Sequence, residues 1–113
     1  MNIVRTVLFP TGLAMILSAA PARAADPVNL HLVIRDHRFE PAELRVPAHT
    51  PVVIEVRNED DTAEEFDSPD LGVEKVIAGK HGGTIRVRAL SPGRYAFSGE
   101  YHADTAKGVL IAE

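Results

Sequence analysis

The sequence predicts an all-β domain, a Greek-key β-sandwich of about seven strands. Three observations carry this reading. Short stretches of alternating apolar and polar residues, rich in Val and Ile, recur at roughly 8–12-residue spacing. Turn-forming residues punctuate them, as in Pro47–Pro51, Asn58–Thr62 and Pro92-Gly93. No segment shows the sustained periodicity of a long helix.

The chain opens with an expected export signal over residues 1–24. Arg5 supplies the positive start, Val7–Ala20 the apolar run, and Ala22-Arg23-Ala24 an A-x-A cleavage site. The run is too short to span a bilayer comfortably. Residues 25–113 then form one expected domain, and the localisation implied is periplasmic. Cysteine is absent, so packing and not disulfides must hold a small exported domain together. The whole chain carries a net charge of −4, and losing Arg5 and Arg23 makes the remainder more acidic. That balance argues against nucleic acid and favours cations or basic partner surfaces.

Asn29–Arg35 mixes alternation with β-branched residues and reads as a strand. Leu30, Val33 and Ile34 do not share one face, which predicts burial on both sides or a bulge. Asp36-His37-Arg38 is a polar break, and Pro41 starts an extended segment that runs into Glu43–Val46. Val52–Asn58 alternates best, with Val52, Ile54 and Val56 on one face. Ala63–Ser68 reads as a short strand. Leu71–Ile77 is expected to be a loop or a brief helix. The Gly-rich Ala78–Gly83 lacks the context of a phosphate loop and reads as a hairpin connection. Thr84–Ala89, Arg94–Ser98 and Val109–Ala112 complete the set, with Tyr95 and Phe97 on one face.

The order of these pieces resembles the cupredoxin domain. The matching stretches are F-x-P-A-E-L-R-V-P (Phe39–Pro47), V-V-I-E-V-R-N (Val52–Asn58), E-E-F (Glu64–Phe66), S-P-G-R-Y-A-F (Ser91–Phe97) and H-x5-G-V-L (His102–Leu110). In a copper-binding cupredoxin a His would stand at Glu64, the Cys at Gly99 and the Met near Ala106, so His102 alone is retained. A blue-copper centre depends on the thiolate bond and is not expected without cysteine.

Glu64–Ser68, Glu74–Ile77 and Phe97–Gly108 resemble a Cys-free branch, the small periplasmic components that accompany high-affinity iron permeases. The resemblance implies binding of copper or iron, assistance to ferrous-iron oxidation or hand-off, and a membrane permease or other periplasmic subunit as partner. Carboxylate and imidazole are harder donors than thiolate and suit iron, zinc or Cu(II) over Cu(I).

The expected metal residues are His102, Glu64, Glu65, Glu74 and His37, drawn from a wider set that adds Asp67 and Glu100. Strand alternation puts Glu64, Phe66 and Ser68 on one face and Glu65 and Asp67 on the other. With Phe66 inward, Glu64 points to the His102 end; a one-residue shift swaps the assignments. The bland alternatives are a solvated loop histidine and ordinary surface acids. No hydrolytic motif is present, so any catalysis would belong to the metal. The competing reading is a metal-free binding module that docks a membrane transport partner.

Overall fold

The computed structural model describes residues 2–18 and 26–113. Residues 2–18 are exposed and carry no secondary structure, and the expected cleavage site at Ala22–Ala24 lies outside the described residues. Among the described residues no helix is long and apolar enough to cross a membrane.

The strands are β1 (Val28–Arg35), β2 (Arg38–Glu40), β3 (Glu43–Val46), β4 (Val52–Asn58), β5 (Glu64–Ser68), β6 (Val73–Ile77), β7 (Gly82–Val87), β8 (Gly93–Gly99) and β9 (Lys107–Ala112). One 3₁₀ turn, Glu100–His102, joins β8 to β9. They form a sheet in the order β2-β1-β4-β7 and a second in the order β3-β9-β8-β5-β6. The pairs β1–β4 and β3–β9 are parallel and the others antiparallel.

Alternation explains the core. Leu32 and Ile34 of β1, Ile54 and Val56 of β4, and Ile85 and Val87 of β7 are buried from one sheet. Phe66, Phe97 and Leu110 meet them from the other. Phe39, Phe66 and Phe97 form an aromatic cluster with centroids 5.0–5.9 Å apart, each burial contributing about 1.5–3 kcal/mol. Gly108 is a requirement of that cluster, because a Cβ there would strike the Phe97 ring. On β1, pairing with β4 runs unbroken from Val28 to Ile34, so there is no bulge; Val33 is instead half-buried on the outer face.

Two expectations are corrected. Leu71–Ile77 is not a helix or simple loop: Val73–Ile77 is a strand paired along its length with β5. Its β-branched residues favour extension, and pairing supplies the hydrogen bonds that a short helix would have made internally. The Ala78–Gly83 connection is not a hairpin. It carries the chain from β6 in one sheet to β7 in the other. Gly79 allows this crossing to pass tightly, since a Cβ there would collide with the Asp61 carbonyl.

Candidate functional site

The site is built where β5, the end of β8 and the 3₁₀ turn meet. Alternation along β5 turns Glu64, Phe66 and Ser68 inward and leaves Glu65 and Asp67 half-exposed, the first of the two registers expected. Glu64 is only 1% exposed, so its carboxylate must be satisfied internally. It is. Oε1 accepts the backbone N–H of Glu65 at 3.1 Å and of Tyr101 at 3.0 Å. Oε2 accepts from His102 Nδ1 at 2.5 Å. This is a charge-assisted pair in a shielded place, where such bonds are strongest.

Gly99 makes room for that carboxylate. A Cβ at Gly99 would stand 2.6 Å from Glu64 Cδ and 2.6 Å from the Ala106 Cβ. Its backbone angles, φ −91° and ψ 107°, suit any residue. The glycine is therefore there for space and not for conformational freedom. Gly99 N–H also donates to Ala106 O at 2.8 Å, and Ala106 N–H to His102 O at 2.8 Å, which closes the loop on itself. Glu64, Gly99, Ala106 and His102 thus meet at one place.

His37 reaches the same place from the other sheet. Asp36 and His37 are the two loop residues of the β1–β2 hairpin and both have positive φ, 52° and 55°. That is the backbone of a type I′ turn, which Asn and Gly adopt more readily. Asp60 holds the turn: its carboxylate accepts the N–H of Asp36 at 2.8 Å and of His37 at 3.0 Å. The Thr105 hydroxyl donates to His37 O at 2.6 Å, tying the turn to the loop of His102. As a result the His37 and His102 rings stack, with centroids 3.5 Å apart and planes 12° from parallel. Burial alone would raise the Asp60 carboxyl. The N–H groups of His37 and Asp36, then the two imidazoles, bring it below its ordinary value of 3.8.

The remaining acids lie on the opposite face of β5. Asp67 and Glu74 are cross-strand partners, and Glu65 sits two residues along on the same face. One carboxylate oxygen from each lies within 4.8 Å of the others. Desolvation, followed by the like charges of Glu74, Asp67 and Glu100, raises the Glu65 carboxyl above its ordinary value of 4.5. The expected metal residues are therefore divided. Glu64, His102 and His37 are brought together, while Glu65 and Glu74 join Asp67 elsewhere.

Sequence reasoning missed Asp60, read only as a turn acid, and the spatial role of Gly99. The signal for Asp60 was weak, because its partners lie more than twenty residues away in the chain. For Gly99 the signal was its closeness to a buried carboxylate, visible only after β5 and β8 are paired and Gly99 is set opposite Phe66, two residues from Glu64.

A family model described as "Cupredoxin-like domain" matches residues 8–112. The protein RP394 of Rickettsia prowazekii (strain Madrid E) is 37% identical over 95 residues, covering 83% of this chain and 76% of that one. Among solved structures, auracyanin A, a "blue" copper protein from Chloroflexus aurantiacus, superposes with a TM-score of 0.67 at 15% identity, covering 78% of this chain and all of that one. The metal-binding domain of the Cu(I)-exporting P-type ATPase CopA of Streptococcus pneumoniae D39, solved with Cu(I), gives 0.61 at 18% identity, covering 75% and 84%. These structural likenesses concern the fold, and both neighbours are copper proteins by description. With nearly its whole length matched and two sheets in the expected arrangement, the chain belongs to the cupredoxin-like domain family.

Proposed function

We propose that this is an exported, periplasmic metal-binding protein that supports iron uptake, with residues 1–24 as signal and 25–113 as the working domain. The metal is copper or iron in a non-blue site. The thiolate-copper centre of the fold family does not fit here. The chain has no cysteine, and the Gly99 position has no room for a side chain beside Glu64. What remains is imidazole and carboxylate, the donors of harder and borderline ions.

The observation that carries the reading is the His37–His102 stack, pinned by the buried Glu64 at the loop end of the domain. Imidazole suits Cu(II), Zn(II) or iron. Across β5, Glu65, Asp67 and Glu74 form an oxygen cluster suited to a hard cation such as Fe(III). A carboxylate set favours Fe(III) over Fe(II), which is the direction that assisted ferrous oxidation requires. The resemblance to iron-permease components implies the partner proposed here, a membrane iron permease or another periplasmic subunit that receives the ion.

Calorimetric titration of the protein with Cu(II) and with Fe(III), followed by elemental analysis, tests the proposal. Stoichiometric binding, weakened at least tenfold by His102→Ala for copper or by Glu74→Gln for iron, is expected. An absence of stoichiometric binding, or His102→Ala and Glu74→Gln variants that bind as wild type does, would sink it.

One observation favours the second reading, a metal-free module that docks a membrane transport partner. Among the described residues, every buried side-chain nitrogen and oxygen already has a partner. That arrangement is complete without an ion. The module reading predicts partner binding that is indifferent to chelators, and chelator sensitivity counts against it.

A further inference from the structure

We infer that Glu64 is a positioning residue and not a ligand: it locks the tautomer of His102 so that a metal ion is taken on the outward Nε2, at the surface of the loop end. The inference rests on the metal-binding reading and deepens it. It departs from the expectation that Glu64 and His102 ligate one ion side by side in the interior.

Three observations lead there. First, the Glu64 carboxylate has no free edge. Oε1 serves two backbone donors and Oε2 serves His102 Nδ1, with the residue 1% exposed. Second, the volume beside it is closed. A single added Cβ at Gly99 would overlap both Glu64 and Ala106, so an ion between them would have to displace the carboxylate from its donors. Third, the 2.5 Å separation of Oε2 and Nδ1 is a hydrogen-bond distance. It is too short for both atoms to sit about 2.0–2.2 Å from one ion at an open ligand angle.

The chemistry of the imidazole then decides where a metal goes. A carboxylate held by two backbone N–H groups is an acceptor, so Nδ1 carries the proton. In the neutral ring Nε2 then holds the lone pair. His102 is 23% exposed, and the surface beside it is a shallow hollow of about 380 Å³ lined by Tyr101, His102, Ala103, Asp104 and Thr105. A ring fixed by a carboxylate through one nitrogen and offered through the other is the arrangement by which supporting groups orient metal-binding histidines. The His37 ring, stacked at 3.5 Å and within 12° of parallel, packs on His102 and holds its plane, leaving His102 as the imidazole that takes the ion. The ligand class is a divalent ion with affinity for imidazole.

The test is long-range ¹H–¹⁵N correlation of the histidine rings in the whole protein, first metal-free and then with Zn(II) as a diamagnetic probe. Metal-free His102 is expected as the Nδ1–H tautomer, and Zn(II) is expected to shift its Nε2 resonance while Nδ1 keeps its proton. Glu64→Gln keeps the shape of the side chain, and its carbonyl oxygen stays with the two backbone donors. Its amide NH₂ then faces Nδ1 and inverts the tautomer, so Zn(II) affinity falls about 10–100-fold. A merely structural role for Glu64 would leave the tautomer unmoved. An Nε2–H tautomer in the metal-free wild type, or a Zn(II) shift at Nδ1, overturns the inference while leaving metal binding intact. The Nδ1–H tautomer with no Zn(II) shift at either nitrogen overturns the outward site at His102, while the Cu(II) and Fe(III) titrations read the metal-binding proposal separately. Both wild-type outcomes are read without any variant, so an unfolded Glu64→Gln does not block the test.

Discussion

Gly99→Ala isolates the contact on which the loop end depends. At φ −91° and ψ 107° an alanine is conformationally acceptable. On backbone grounds alone the change would stabilise the protein by about 0.4–1 kcal/mol through the unfolded chain. The packing says the opposite. The new Cβ would lie 2.6 Å from Glu64 Cδ and 2.6 Å from Ala106 Cβ, roughly 1 Å inside normal contact. Neither neighbour can yield freely. Ala106 is fully buried and bonded on both sides, and Glu64 is held by three donors. Overpacking costs about 1–3 kcal/mol, and weakening a bond to a charged group adds about 1.5–3 kcal/mol where it occurs. A net loss of about 2–4 kcal/mol follows, or on the order of 10–30 °C in Tm for a domain of this size. Urea and thermal unfolding followed by far-UV circular dichroism read it. The cost should shrink in a Glu64→Ala background, giving a coupling of about 0.5–3 kcal/mol in the double-mutant cycle. A Gly99→Ala protein as stable as wild type, or more stable, refutes the steric argument.

Three further outcomes are expected. The lowered Asp60 carboxyl gives stability that is fully present above its ordinary value of 3.8 and is lost as pH falls through the lower folded value; Asp60→Asn should therefore be less stable at neutral pH and lose less than wild type between about pH 5 and pH 3, as urea midpoints across that range will show. The raised Glu65 carboxyl works the other way, opposing folding above its raised value and ceasing to do so below 4.5; Glu65→Gln should raise Tm at pH 7, by less in high salt. Gly108→Ala, which drives a methyl into the Phe97 ring, should cost about 1–3 kcal/mol by urea unfolding and disturb the aromatic cluster's near-ultraviolet signal.

Much of the fold was legible because its strands are locally self-consistent. Val52–Val56 and Tyr95–Phe97 alternate cleanly, and turns such as Pro47–Pro51 and Pro92-Gly93 carry Pro or Gly. Strand β6 was not legible. Val73-Glu74-Lys75-Val76-Ile77 shows no alternation, and only pairing with β5 makes it a strand. The same pairing sets Glu74 opposite Asp67, so missing β6 also hid the acidic cluster. The inward turn of Glu64 and outward turn of Glu65 followed from Phe66 being core. The approach of His37 could not follow, since it depends on a strained two-residue turn held by Asp60 from the β4–β5 loop. The function of Gly99 likewise exists only in three dimensions.

The central claim is that a metal ion binds at the loop end, and the metal content of the protein isolated from its native compartment tests it most directly. The account predicts copper or iron near stoichiometry in the wild-type protein, with copper largely lost from a folded His37→Ala/His102→Ala variant and iron largely lost from a folded Glu74→Gln variant. Metal-free wild-type protein that still binds its membrane partner in the presence of a chelator would contradict it.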